Sequence, residues 1–178
     1  MKAYISLLRG INVGGHKKIK MADLKSLYEL LGFEDVNTYI QSGNVVFQSK
    51  ETDFDILANS IHNKIKDKYG FEVPITIRQS QDIENIIKTN PFLAKSEDIK
   101  MLYVGFMNEI PNPELVASTK EIAFKDDKFE VIGKTLFLYV PSGAGKTKFT
   151  NSFFERKFKV SITTRNWRTT LKLAEMCN

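Results

Sequence analysis

A chain of 178 residues has room for one ordinary domain or for two small ones. Its 42% hydrophobic and 26% charged residues exclude the disordered and fibrous classes, and no apolar run approaches the roughly 20 residues of a membrane span. The net charge of +5, with a pI near 9.2, favours anionic partners over cationic ones.

The N-terminal run has one lysine and no small-residue cleavage site, so no signal peptide is expected. The single cysteine, Cys177, has no internal partner for a disulfide, and a reducing cytoplasm is the expected home. Lys2–Leu8 reads as a central strand buried on both faces. The stretch that follows, Arg9–Gly15 (RGINVGG), runs into His16, Lys17, Lys18 and Lys20, with no acid before Asp23. A loop that holds an anion has this composition, and so does a tight, well-solvated turn.

Leu24, Leu27, Tyr28 and Leu31 fall at helical spacing, and Gly32 stops that helix. Val36–Gln41 and Val45–Gln48 read as strands around a turn at Ser42-Gly43-Asn44. Phe54, Leu57, Ala58, Ile61 and Ile65 mark a second amphipathic helix ending near Gly70. Pro74–Arg78 is a short strand. The order β-α-β-β-α-β is that of the ferredoxin-like unit.

A linking helix capped by Ser80 carries Ile83, Ile86 and Ile87 and breaks before Pro91. The pattern then starts again. Met101–Phe106 is a strand, and Asn112-Pro113 opens a helix through about Ala123. Phe129–Ile132 and Thr135–Val140 form a hairpin. Phe149, Phe153 and Phe158 mark a helix, Ser161–Arg165 a strand, and a last helix runs from Asn166. The expected fold is α+β, with two ferredoxin-like halves in tandem and an additional C-terminal helix. The expected boundaries are 1–79, a helical linker over 80–99, and 100–178. Element order supports the duplication; residue identity does not.

Between Gly133 and Lys172 stand nine basic residues against one acid, Glu155. Such clustering fits a phosphate-bearing partner or a solvated face. Gly143-Ala144-Gly145-Lys146-Thr147 ends like a P-loop, but Val140 stands where that motif needs its first glycine. What survives is a glycine-rich backbone before a helix start, a general anion site. With only His16 and His62 there is no zinc spacing, and no serine sits in a nucleophile elbow. No metal or cofactor is expected.

Topology gathers two candidate edges. The end of the first strand lies beside the hairpin between the second and third. That places Arg9, Asn12, Gly14 and Gly15 with Gln41, Ser42, Gly43 and Asn44. In the second half, Gly143–Lys148 shares an edge with Arg165 and Asn166. Guanidinium, amide and glycine-exposed backbone suit carboxylate or phosphate. Turn and cap duties account for Asn44 and Asn166 equally well. Phe137 and Tyr139 share a strand face as base-stacking residues would, but burial in a core is the better explanation, since a sheet's second face must be covered.

Four segments, RGINVGG at Arg9–Gly15, KKIKMADL at Lys17–Leu24, TYIQSGNVVF at Thr38–Phe47 and TTRNWRTTLKLAEM at Thr163–Met176, resemble a family of small bacterial proteins, domain-of-unknown-function family 1697. The resemblance implies a cytoplasmic α+β protein with two ferredoxin-like halves. It also implies recurrent segments at Arg9, Asn12, Gly14, Gly15, Gln41, Ser42, Gly43 and Asn44, then at Arg165, Asn166 and Trp167. The family carries no agreed activity.

The resulting expectation is a binder of a phosphate-bearing ligand, a nucleotide or nucleic acid. Arg9 and Arg165 would act as anion clamps, Asn12 and Asn44 as orienting amides, Gly14 and Gly15 as backbone donors, and Lys146 as a charge contact; Gln41, Ser42 and Asn166 complete the edges. The rivals are an enzyme on a small anionic substrate, using Asp23, His16 or a tyrosine, and a protein-interaction module.

Overall fold

The structure, a computed structural model, describes residues 1–93 and 98–177. Residues 94–97, inside the expected 80–99 linker, lie outside the described residues. The chain divides into two compact units, one of Met1–Glu84 with the residues from Leu173 onward, the other of Asn85–Lys172.

The first unit contains β1 (Lys2–Leu8), α1 (Met21–Leu30), β2 (Glu34–Tyr39), β3 (Asn44–Ser49), α2 (Phe54–Tyr69) and β4 (Ile75–Gln79), followed by α3 (Ser80–Thr89). Its antiparallel sheet has the order β2-β3-β1-β4, the ferredoxin-like arrangement. Period-two alternation sends Tyr4 and Leu8 of β1 into a core with Val45, Phe47 and Ile77. Leu24, Leu27 and Tyr28 of α1 and Leu57, Ile61 and Ile65 of α2 close it. Each such side chain contributes about 1.5–3 kcal/mol by leaving water. Ile5 and Leu7, on the other face of β1, are buried as well, so the strand is buried on both faces with Ser6 its one buried polar residue. Asp53 caps α2 by accepting from the Asp55 and Ile56 amides, and Gly70 ends it in the left-handed conformation at φ 76°.

The second unit contains β5 (Leu102–Met107), α4 (Pro113–Lys120), β6 (Lys128–Ile132), β7 (Thr135–Tyr139), α5 (Asn151–Phe158) and β8 (Ile162–Asn166); α6 (Trp167–Met176) begins in it and ends among the residues assigned to the first unit. Its antiparallel sheet has the order β6-β7-β5-β8, the same arrangement. The core is aromatic: Phe154 meets the edge of Phe129 at 5.0 Å between centroids, and Phe149 and Phe158 pack beside them.

Two local differences from the sequence expectation have physical causes. β2 stops at Tyr39 because Ile40 takes φ 49°, so the turn begins two residues early. α4 stops at Lys120 because the chain turns through an Ile122 N–H to Thr119 O bond and a Phe124–Asp127 bridge. Phe137 is fully buried, in keeping with the core role expected for it rather than base stacking.

Strand register supplies the residue correspondence that element order alone lacked. Leu8 lies opposite Ile75, and Met107 lies opposite Ile162. The Leu8 amide donates to Gly43 O at 2.8 Å, and the Met107 amide donates to Lys134 O at 2.9 Å. The Arg9 and Asn108 amides donate to Pro74 O and Ser161 O, both at 3.1 Å. In this frame Ile75-Thr76-Ile77-Arg78 corresponds to Ile162-Thr163-Thr164-Arg165, an identity at three of four positions.

Candidate functional site

After β1 the chain forms a small hairpin finger. The Asn12 amide donates to Lys17 O and the His16 amide to Val13 O, leaving Gly14-Gly15 at the tip. Both glycines have positive φ, 56° and 79°, as a type I′ turn requires. The Asn12 side chain locks the finger down. Its Nδ2 donates to Ile19 O and Gln41 O, and its Oδ1 accepts from the Ile19 amide, each at 2.9 Å. Buried Ile11 and Ile19 root the two ends of the loop in the core. The tip and its flank, Val13 to Lys18, are exposed. Lys17 Nζ reaches back to Glu72 O at 2.7 Å.

The second strand of this edge is equally constrained. Asn44 is fully buried, and its Nδ2 donates to Tyr39 O and to Ser42 Oγ. Gly43 has φ 80°, and a Cβ there would sit 2.6 Å from Leu8 Cβ. Only glycine fits, because the turn presses against the end of β1. Arg9, Asn12, Gln41, Ser42 and Asn44 therefore share one edge, as the topology predicts. The amides of Asn12 and Asn44, expected to orient a ligand, instead donate to the protein: they set the shape of the edge.

The start of α1 differs from those of α2, α4, α5 and α6. Asp53, Asn112 and Thr150 cap α2, α4 and α5 with side-chain oxygens, and Asn166 Oδ1 accepts from the Thr169 amide at the start of α6. The N-cap of α1 is Lys20, which makes no side-chain cap. Lys20 thus stands at the positive end of a helix dipole, with Asp23 the one acid in its first turn, and Lys17 and Lys18 lie shortly before it in the chain.

The second candidate edge is built differently. The Lys146 and Thr147 amides both donate to Gly143 O at 3.0 Å, so they turn into the loop. Asp127, which the sequence reading passed over, sits buried beneath it. Its carboxylate accepts from Ser142 N at 3.1 Å and from the hydroxyls of Ser142 and Thr147 at 2.6 Å each. No local pattern announces this network; its partners lie 15 and 20 residues away in sequence. α5 starts only at Asn151, capped by Thr150, so the Gly143–Thr147 stretch is not a P-loop cradle. Lys146 itself is exposed.

Arg165, expected as an anion clamp, is partly buried, and its Nη1 donates to Thr164 O at 3.0 Å. Burial pushes its pKa down to about 10, which leaves it a cation at neutral pH. Arg78, its counterpart, donates to Ile77 O in the same way, and burial likewise lowers its pKa against the pull of Asp82. A pair of equivalent strand-end arginines reads as a feature of the repeated frame. Asn166 caps α6, the duty foreseen as its alternative. His62 Nδ1 donates to Val73 O, while burial and the nearby Glu84 raise the Cys177 thiol to about 11, far from a reactive thiolate. Among the described residues, no group of three His, Cys, Asp or Glu side chains is placed to hold a metal.

A family model described as protein of unknown function (DUF1697) matches residues 1–137. The chain belongs to this family. The match takes in the whole first edge and ends before Gly143, Arg165 and Asn166. A solved structure, conserved bacterial protein SP0830 from Streptococcus pneumoniae, is similar over 99% of both chains, with 26% identity and a TM-score of 0.80. A comparison with curated proteins finds no match. Among the described residues no helix of this DUF1697 chain is long and apolar enough to cross a membrane.

Proposed function

We propose that this DUF1697 chain binds a phosphate-bearing ligand, a nucleotide or nucleic acid, at the end of β1. The observation that carries the reading is the start of α1, where lysine stands in place of a cap. Each cation near a helix N-terminus costs about 0.3–1 kcal/mol. An anion there would reverse the sign of that interaction and take up the open amides. Lys18 and Lys20 supply charge, Gly14 and Gly15 supply exposed backbone at the finger tip, and Arg9 stands at its root. Asn12, Gln41, Ser42 and Asn44 hold the edge in shape. Lys146, Arg165 and Asn166 fall outside the proposed site.

The test is fluorescence anisotropy with labelled single-stranded RNA and duplex DNA, together with calorimetry using inorganic pyrophosphate, from low to physiological salt. Binding that weakens steeply with salt, and weakens further in Lys18→Ala and Lys20→Ala, is the expected result. Binding to none of the three at low salt would end the proposal.

A further inference from the structure

Among the described residues, one edge strand of the second unit, β6, has a single neighbour. β6 pairs with β7 from Lys128 to Ile132 without a register shift. The hairpin turns through Gly133-Lys134, so the flanking pair Ile132 and Thr135 exchange hydrogen bonds. By alternation, Glu130 and Lys128 also face β7, while the backbone groups of Val131 and Phe129 point outward. The corresponding edge in the first unit is blunted: β2 carries a bulge between Glu34 and Asn37, with Asp35 at φ 49°.

Two cavities lie along β6. One, of about 370 Å³, is lined by Ile110, Pro113, Val116, Ala117 and Val131. The other, of about 290 Å³, is lined by Ile122, Ala123 and Phe129 and by the charged Lys120, Asp127, Lys128 and Glu130. Lys120, at the end of α4, borders both. Val131 and Phe129 are two residues apart and both pack on the helix-side core. Side chains of an added strand repeat at that same two-residue spacing on one face.

We propose that the β6 edge accepts an extended peptide segment of a partner protein, which adds a fifth strand to the sheet. Apolar side chains at positions i and i+2 of the segment enter the two cavities, and the outward groups of Val131 and Phe129 supply the backbone bonds. The Lys120–Glu130 ion pair, 2.6 Å long, lies beside the path. It is solvent-exposed and therefore weak, so an entering strand displaces it readily. A second copy of this chain fits less well. Symmetric antiparallel pairing centred on β6 sets Glu130 against Glu130 of the other copy, an unfavourable like-charge pair.

A phage-displayed library of random linear peptides, selected on the intact protein, tests the proposal. The expected outcome is enrichment of sequences with apolar residues two apart. Affinity for the selected peptides should fall about tenfold or more in Val131→Pro, which removes an outward N–H and leaves the β7 ladder intact. Ala117→Trp, at an exposed helix position, fills the larger cavity and should have the same effect without touching the core. Hydrogen exchange should show the Val131 and Phe129 amides protected only when peptide is bound. The proposal is overturned if no such motif is enriched, or if both variants bind the selected peptides unchanged. It is also overturned if the edge proves to be a homodimer contact, seen as concentration-dependent dimerisation lost in Val131→Pro.

Discussion

The two units connect their first strand to their first helix in different ways. Eleven residues, Gly10–Lys20, join Arg9 to α1; four, Glu109–Asn112, join Asn108 to α4. The short connection shows what the fold needs. It ends in Asn112, whose side chain accepts from the Glu114 amide at 2.8 Å, with Pro113 in the first helical position and an acid in the first turn. The long connection adds a hairpin finger and replaces the cap with Lys20. Helix capping and dipole electrostatics both argue against that choice for stability alone. A departure from local rules in one copy of a repeated frame, on exposed residues, marks where function is most sensibly sought.

Substitutions can break or sharpen this contrast. The largest effect is expected at Gly43, where Ala would force a Cβ into Leu8 and require a left-handed alanine. Urea unfolding should show a loss of about 2–5 kcal/mol. The equivalent position in the second unit is Lys134, and Lys134→Ala should stay within about 0.5 kcal/mol of the parent. An unchanged Gly43→Ala protein would break the account of how the first edge is held.

Asn12→Ala removes three hydrogen bonds that tie the finger to the core and to Gln41. It should cost about 2 kcal/mol and loosen the finger, seen as faster hydrogen exchange at the His16 and Ile19 amides. Protection that stays at the parent level would mean the finger holds itself.

The halves also differ in pH response. Tyr28 O–H and Ser6 Oγ meet at 2.6 Å inside the first core, whereas Gly105 stands at the place of Ser6 in the second. Burial raises the Tyr28 pKa well above the ordinary tyrosine value of about 10. Above pH 10 the unfolded chain loses this proton while the folded chain keeps it. The unfolded state then binds fewer protons, and stability falls as pH rises. Tyr28→Phe should flatten part of that slope in urea titrations from pH 8 upward, at a cost of about 1 kcal/mol for the stranded Ser6 hydroxyl. A slope identical to the parent's would assign the alkaline loss to other groups.

The smallest effect is the most diagnostic. Lys20→Ser gives α1 a cap, because Lys20 already holds the extended backbone of an N-cap at φ −69° and ψ 138°. The protein should gain about 0.5–1 kcal/mol while losing phosphate affinity. A variant that gains nothing would show that the helix start is already satisfied.

Much of this architecture is legible in the residues. Apolar spacing marks α1 and α2, and the two β-α-β-β-α-β runs name the fold. The neighbourhood of Arg9 with Gln41–Asn44 follows from strand direction alone. The finger was readable too, since Gly14-Gly15 between Val13 and His16 is a hairpin turn signal, and so was the missing cap before Met21. Other features depend on contacts that no local pattern encodes. Asp127 finds Ser142 and Thr147 only after the second sheet forms. The correspondence of Arg78 with Arg165 emerges from strand register, because the loops before them differ in length. Asn12 and Asn44 look the same in sequence whether they serve a ligand or the chain; only the folded structure shows the bonds they make to the chain itself.

The central claim is that the start of α1 and its finger form an anion site. An amide NMR titration of the intact protein with inorganic pyrophosphate at low ionic strength tests it most directly. The account predicts saturable shifts concentrated at Gly14, Gly15, Ala22 and Asp23, lost in Lys20→Ser and reduced by added salt. Shifts centred on Gly143–Lys148, or none at saturating pyrophosphate, would contradict it.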